Sequence, residues 1–444
     1  MAAPFARLRK QLSAPGLLAT VRHYFDTIAE HRTKKCPDIL LSDALMSGLA
    51  VFGLKYPSLL RFDEDRRKKR ICHNLSKLYG VGQAPCDTQL RDIVDPVDPA
   101  HLRPAFREVH TSLQRGKALE KYEYLDGYYL VSVDGTGYFA SSSIHCSECC
   151  VKELKNGEKQ YYHQLLAAVM VHPDLKTVLP FAPEAITRQD GSTKNDCERN
   201  AAKRLLTQMR KDFPYLKFII VEDSLASNGP HIKVLNELGM RYILGVKEGD
   251  HAALFESVQE KFRAGECQEF ETMDAKGTVQ GYRFVNNIPL NKTHPDIRVN
   301  FLEYWSIPKE GQSLLFSWIT DIQLTVDNVE TIMKGGRARW KVENETFNTL
   351  KNQGYFLEHN YGHGKQHLAT NLALLMMLAF LIDQAQELCC RLFQAARTSF
   401  RSRSSLWERL RAAFLTFYLS DWEILWEVIA TDCWERLSLT PDTT

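Results

Sequence analysis

Charge of one sign is scarce in this chain. Its 56 Lys and Arg face 54 Asp and Glu, a formal net charge of +2 over 444 residues. Bulk electrostatics therefore draws it to no polyanion, and any grip on nucleic acid must come from local basic stretches. Long hydrophobic runs are missing as well. The longest uncharged apolar stretch, residues 372–382, covers 11 residues, against the roughly 20 that span a bilayer, and reads as a buried helix. The first thirty residues scatter Arg7, Arg9, Lys10, Arg22 and His23 among apolar ones and so lack the continuous apolar core of a secretory signal. Cysteine is sparse, and its count of 11 is odd, which excludes complete pairing and a disulfide framework. These absences lead us to expect a cytoplasmic protein with no membrane partner. There is no internal repeat and no low-complexity tract.

What is present suits a folded chain of several domains: 44% hydrophobic and 25% charged residues, enough for a sizeable core. Residues 1–120 show helical periodicity, with turns at Pro37, Pro57, Gly80, Pro85, Pro96 and Pro99. Within them Arg66, Arg67, Lys68, Lys69 and Arg70 are consecutive. Arg66, Arg67 and Lys68 are candidate contacts for DNA phosphates, although Asp63, Glu64 and Asp65 could equally make this a neutralised, solvated helix face.

After Lys121 the texture changes. Residues 128–133 form a β-branched and aromatic run that we expect to end at Asp134-Gly135-Thr136-Gly137. Residues 164–172 and 177–181 read as a hairpin, 196–212 as a helix stopped by Pro214, and 217–221 as a buried strand running into Glu222-Asp223. A helix over 230–238 and a strand over 241–246 complete the order β, β, β, α, β, α, β. Alternating segments at 282–286, 299–307 and 314–320 predict a β-rich insertion, and helical patterning returns from Asn328. The expected partition is a helical region 1–120, an α/β core 121–260, the insertion 261–325, a second core part 326–385, and a helical region 386–444.

Two acids at strand ends and a third from a later helix make an oxygen-rich pocket for hard divalent cations. Asp134 and Asp223 fit the first two places. The third would come from residues 337–351, where Arg339 and Glu343 stand four apart and would share a helix face, with Trp340 and Val342 as anchors to the core. Glu345 competes with Glu343 for the same role. Two metal ions in such a site activate an attacking oxygen and stabilise a leaving one.

On the strand ending Val133-Asp134-Gly135-Thr136, the strand ending Val221-Glu222-Asp223-Ser224, and Arg339-Trp340-Lys341-Val342-Glu343, the chain resembles the DDE-type transposases of bacterial insertion sequences. The resemblance covers nearly its whole length. It implies a ribonuclease-H-like mixed-sheet core with a β-strand insertion, flanked by α-helical regions. It implies Mg-dependent cleavage at element ends and strand transfer into target DNA, with Asp134, Asp223 and Glu343 as catalytic metal ligands for two Mg²⁺, which Mn²⁺ could replace. Arg339 and Lys351 would hold phosphates, and a homodimer would assemble on double-stranded DNA. In one branch of the family a Tyr precedes the Arg, and a Lys follows the Glu. Here the Tyr position falls on Gly336, and Lys351 comes one residue later than the pattern, with Leu350 in its place. Lys351 stands at the pattern's spacing from Glu345 instead. In the insertion, Trp305 or Trp318 could stack on a displaced base, although core packing suits both. The alternatives are a metal-dependent nuclease of the same fold and a non-catalytic DNA-binding protein.

Cys146, Cys149 and Cys150 include one pair at zinc-ligand spacing, half of a structural Zn²⁺ site. Cys197, His163 and His172 are the candidates to complete it, but we read these thiols as reduced and metal-free. Asp196 and Glu198 add acids near the proposed pocket, with helix capping an equal role for Asp196. His359, His363 and Lys365 belong to a loop that we expect to approach DNA phosphates, with a packing or turn role as the alternative. Residues 391–411, with six Arg against Glu408, are expected to lie as an amphipathic helix on a duplex, although anionic lipid or a partner subunit also suits the pattern.

Overall fold

The computed structural model describes residues 11–33, 38–188, 195–275 and 277–440. Arg7, Arg9, Lys10, Pro37 and Lys194 lie outside them. The chain opens with helices α1 (Ala14–Phe25), α2 (Leu41–Gly53), α3 (Leu59–Arg66), α4 (Lys69–Tyr79), α5 (Asp87–Val94) and α6 (Arg103–Arg115). Strands β1 (Tyr128–Ser141), β2 (Cys150–Glu153), β3 (Lys159–Val171), β4 (Leu179–Pro180) and β5 (Glu184–Ile186) follow. Then come α7 (Glu198–Asp212), β6 (Lys217–Glu222), α8 (Gly229–Glu237), β7 (Arg241–Gly245) and α9 (Ala252–Arg263). The order expected from the sequence is present, with the short β2 and β5 added. β1 differs from expectation because it does not stop at Asp134. Antiparallel pairing with β3 carries it through Gly135 and Gly137 to Ser141, since a partner strand supplies the hydrogen bonds that a turn-like sequence otherwise lacks.

The insertion supplies β8 (Gln268–Met273), β9 (Val279–Pro289), β10 (Arg298–Ile307) and β11 (Leu314–Thr320). It does not stand apart. β11 pairs antiparallel with β7, so one sheet runs β2-β3-β1-β6-β7-β11-β10-β9-β8, with β4 and β5 also paired to β3. β1, β6 and β7 are mutually parallel at its centre, and their near-continuous apolar sequence fits a sheet covered on both faces. The architecture is therefore mixed α/β. After the insertion come α10 (Val329–Arg337), a π-helical segment (Val342–Phe347), α11 (Asn348–Asn352), α12 (Leu368–Cys389), α13 (Arg391–Thr398), α14 (Arg403–Thr416) and α15 (Trp422–Thr431).

α12 is long and apolar enough to cross a bilayer, but its most apolar window is wholly buried inside the protein. The first and last helical regions, separate in sequence, join around it. Lys55 pairs with Asp383 at 2.6 Å. The Asn74 amide donates to the Phe414 and Phe417 carbonyls, both at 2.8 Å, and Trp422 Nε1 donates to the Leu78 carbonyl at 2.9 Å. The Arg-rich 391–411 stretch is thus two helices, not one. Phe393, Leu406 and Trp407 are core, Arg403 pairs with Glu387 at 2.8 Å, and Arg411 donates to the Lys55 carbonyl at 2.6 Å.

Candidate metal and nucleic-acid site

The parallel pairing of β1 with β6 ends at Ser132 opposite Val221. Asp134 and Asp223 each lie two residues beyond that pair, where the strands separate, the position at which parallel sheets open a ligand crevice. A cavity of about 370 Å³ there is lined by Asp134, Glu198, Glu222, Asp223 and His231. The Asp223 carboxylate accepts the Leu225 N–H at 3.0 Å, and Asp134 accepts the Gly135 N–H at 2.8 Å and the Arg339 guanidinium at 3.1 Å. Burial raises the Asp134 pKa, opposed by the Gly135 N–H and by Arg339, while the charges of Asp223 and Glu343 raise it further. Asp134 thus feels Glu343 as a neighbour. Glu345 instead acts on Lys341 and lines the adjoining groove.

Glu198, in the first turn of α7, closes this pocket. A Cβ on Gly135 would collide with its carboxylate, so Gly135 is the gap that admits Glu198 beside Asp134. Burial raises the Glu198 pKa, and Asp134, Asp223 and Glu222 reinforce the shift. The neighbouring Asp196 is turned away, paired with Arg204 at 2.7 Å. Behind Asp223, Glu222 and His231 form a buried pair at 2.6 Å. Burial is the largest influence on His231 and opposes its proton, but the charge and hydrogen bond of Glu222 together overcome it and raise the His231 pKa.

Glu343 lies in the π-helical segment, a geometry concentrated at functional sites. A π-turn accommodates one extra residue per turn. Arg339 occupies the turn at 338–339 between α10 and the π segment, and its guanidinium reaches Asp134, the same carboxylate on which the charge of Glu343 acts. The Ser132 hydroxyl fixes this turn by donating to the Arg339 carbonyl at 2.8 Å. Lys351 pairs with Glu358 at 2.9 Å. At Gly336, a Cβ would stand 2.5 Å from Trp318 Nε1, so the Trp318 indole occupies the space beside this glycine.

A second cavity meets the acid pocket at Glu222 and Asp223 and extends along the insertion, lined also by Phe316, Arg337, Arg339 and Trp340. Trp318 is buried and stacked on Phe316 with ring centroids 5.7 Å apart, a packing role. Trp305 covers Gly281 and donates to Glu271 at 3.0 Å. Trp340, expected to anchor the helix, is 51% exposed and leans edge-on against Phe316, while Val342 does the anchoring. The exposed aromatic at the site is therefore Trp340. Its sequence signal was its place between Arg339 and Lys341, flanked by cations.

The run 66–70 is split between the end of α3 and the start of α4. Arg66 pairs with Asp63 at 2.7 Å, Lys68 with Asp65 at 2.6 Å, and the exposed Arg67 with Asp63 at 3.3 Å, so neighbouring acids answer these cations. The 355–367 loop is tied down from within: the Lys365 and Gln366 N–H groups, with that of Leu368 at the start of α12, are held by the Asp95 carboxylate at 2.7–3.0 Å, and His359 packs against Tyr361. His363 turns inward to the thiols. Among the described residues one group of three or more potential ligands has all its ligand atoms within 4.8 Å of one another: Cys146, Cys149, His163 and His363. Three proposed members lie elsewhere. The Cys150 thiol donates to the Ile186 carbonyl at 3.4 Å, His172 faces Asp174, and Cys197 is the exposed N-cap of α7.

Comparison with known proteins finds no family model that matches the chain and no curated protein with significant similarity to it.

Proposed function

We propose that this chain is a DDE-type DNA transposase, built on a ribonuclease-H-like core and acting as a dimer on the two ends of its element. The observation that carries the reading is the equal placement of Asp134 and Asp223 beyond the last β1–β6 pair, with the charge of Glu343 reaching Asp134 from the π segment. The sheet order, with β3 antiparallel and β6 and β7 parallel to the central β1, supports the fold.

The donor set fits Mg²⁺ in kind. Asp134, Asp223 and Glu343 offer hard carboxylate oxygens, and Arg339 already sets a positive charge against Asp134. These three acids would hold two Mg²⁺ or Mn²⁺. Bound there, the ions would lower the pKa of an attacking water or 3′-hydroxyl and neutralise the leaving oxygen. The chain's own residues do the rest. Glu198 adds negative charge beside Asp134. Arg337 and Arg339 offer guanidinium forks to phosphates, and Trp340 offers a face to an unstacked base at a DNA end, a contact worth roughly 1–3 kcal/mol.

Cleavage of a labelled duplex carrying the element's terminal sequence, in Mg²⁺, tests this. Asp223→Ala and Glu343→Ala should each lose at least about 100-fold in rate while still binding the duplex, and Glu345→Ala should cut. Cleavage by Glu343→Ala together with loss in Glu345→Ala would move the third acid to Glu345. A parent chain that binds but never cuts, in Mg²⁺ or Mn²⁺, would reduce the protein to a DNA-binding one.

A further inference from the structure

We infer that Cys146, Cys149, His163 and His363 form a tetrahedral Zn²⁺ site, separate from the acid pocket, that fastens the far end of β1 and β3 to the loop following the third-acid segment. Cys146 Sγ and Cys149 Sγ lie 3.7 Å apart, and His163 Nε2 is 3.3 Å from each. His363 Nδ1 approaches Cys149 Sγ at 3.9 Å. Zinc bonds of about 2.3 Å to sulfur and about 2.0 Å to nitrogen, meeting at tetrahedral angles, place ligand atoms roughly 3.3–3.8 Å apart. Two thiolates and two imidazoles are a donor set that selects zinc over Mg²⁺. Binding displaces the two thiol protons and leaves a complex of zero net charge, which suits a place where Cys149 and His163 are each 1% exposed.

The surroundings are built around these four residues. Cys146 and Cys149 bracket a turn in which the Cys149 N–H donates to the Cys146 carbonyl and the Cys146 N–H points at Cys149 Sγ. Tyr138 stacks on His163, and Phe139 meets His363 edge-on with centroids 4.0 Å apart. The two residues inside the turn reach the same partner segment: Ser147 donates to the Lys365 carbonyl, and Glu148 pairs with His367 at 2.7 Å. Each contact joins the 146–149 turn to the segment leading into α12, so a metal there closes a link between stretches about 200 residues apart in sequence.

The test is metal content and Co²⁺ spectroscopy on the full chain, purified with its thiols reduced. About one zinc per chain is expected, and replacement by Co²⁺ should give the sulfur-to-cobalt charge-transfer absorption and intense visible bands of a tetrahedral thiolate site. Cys149→Ser and His363→Ala should each weaken zinc binding at least about 10-fold, whereas Cys150→Ser and Asp223→Ala should keep it. Retention in Asp223→Ala separates this site from the acid pocket whatever that pocket does. If the ligand variants fail to fold, the Co²⁺ spectrum of the parent still decides. Less than a tenth of an equivalent after anaerobic reconstitution, a spectrum without thiolate charge transfer, or equal loss in Cys150→Ser would overturn the proposal.

Discussion

His110 shows how strongly burial acts on a single residue here. Its ring stacks on Phe181 with centroids 4.5 Å apart, and since the Pro180 carbonyl at 3.1 Å can only accept, Nε2 carries the proton. Nδ1 has no partner. Burial holds the pKa down to about 4 from its ordinary 6.5. The unfolded chain therefore takes up a proton that the folded one refuses. Stability from this residue is intact above about pH 6.5, is lost as pH falls from there to about 4, and levels off below, a total of about 3 kcal/mol. Urea denaturation at pH 7 and pH 4.5 should show a smaller pH-dependent loss for His110→Gln than for the parent. An identical loss in both would contradict the assignment. At the same scale, Asp134 and Asp223 were legible because each follows a β-branched run. The thiol cluster was legible in part. Cys146 and Cys149 announce themselves by spacing and His163 was one of three candidates to join them, but His363 comes from a loop about 200 residues away in sequence, which no local pattern records.

At the scale of elements, the segment bearing Glu343 is governed by the contact between Gly336 of α10 and Trp318 of β11. A methyl group at Gly336 would be driven into the indole, and overpacking of this kind costs about 1–3 kcal/mol. Gly336→Ala should lower Tm by several degrees and reduce cleavage by displacing the turn that holds Arg339. Unchanged Tm would show that α10 is free to shift. Boundaries of elements were legible where hydrophobic runs end cleanly, as at β6 and β11. They were misread where tertiary pairing overrides local sequence. Gly135 and Gly137 look like a turn yet lie within β1, because β3 holds them in register. The π segment was equally hidden, since one extra residue in a helical turn leaves no signal in residue type.

Over the whole molecule, segments far apart in the chain pack together. α12 is the axis on which the N-terminal and C-terminal helices meet, and the hydrophobic core runs continuously from Leu12 to Leu437. At that junction the Lys55 ammonium is fully buried against Asp383, with the rings of Tyr355 and Trp407 4.3 and 4.2 Å away. Removing one partner of a buried ion pair costs about 3–5 kcal/mol because the other charge is left uncompensated. Lys55→Met should therefore destabilise the parent by that order in chemical denaturation, and the double variant with Asp383→Leu should recover part of the loss. A Lys55→Met protein as stable as the parent would mean that the two helical regions are not coupled there. Composition shifts marked where segments begin, but contacts between distant helices leave no local trace in sequence.

The central claim is that Asp134, Asp223 and Glu343 form one metal-dependent site for DNA strand transfer. It is tested most directly by incubating a duplex with a labelled terminal 3′-hydroxyl with unlabelled target DNA and Mg²⁺, then looking for label joined covalently to the target. The account predicts joined product from the parent chain and none from Asp134→Ala, Asp223→Ala or Glu343→Ala. Cleavage without joining would make the protein a nuclease, and joining by any of the three variants would contradict the site.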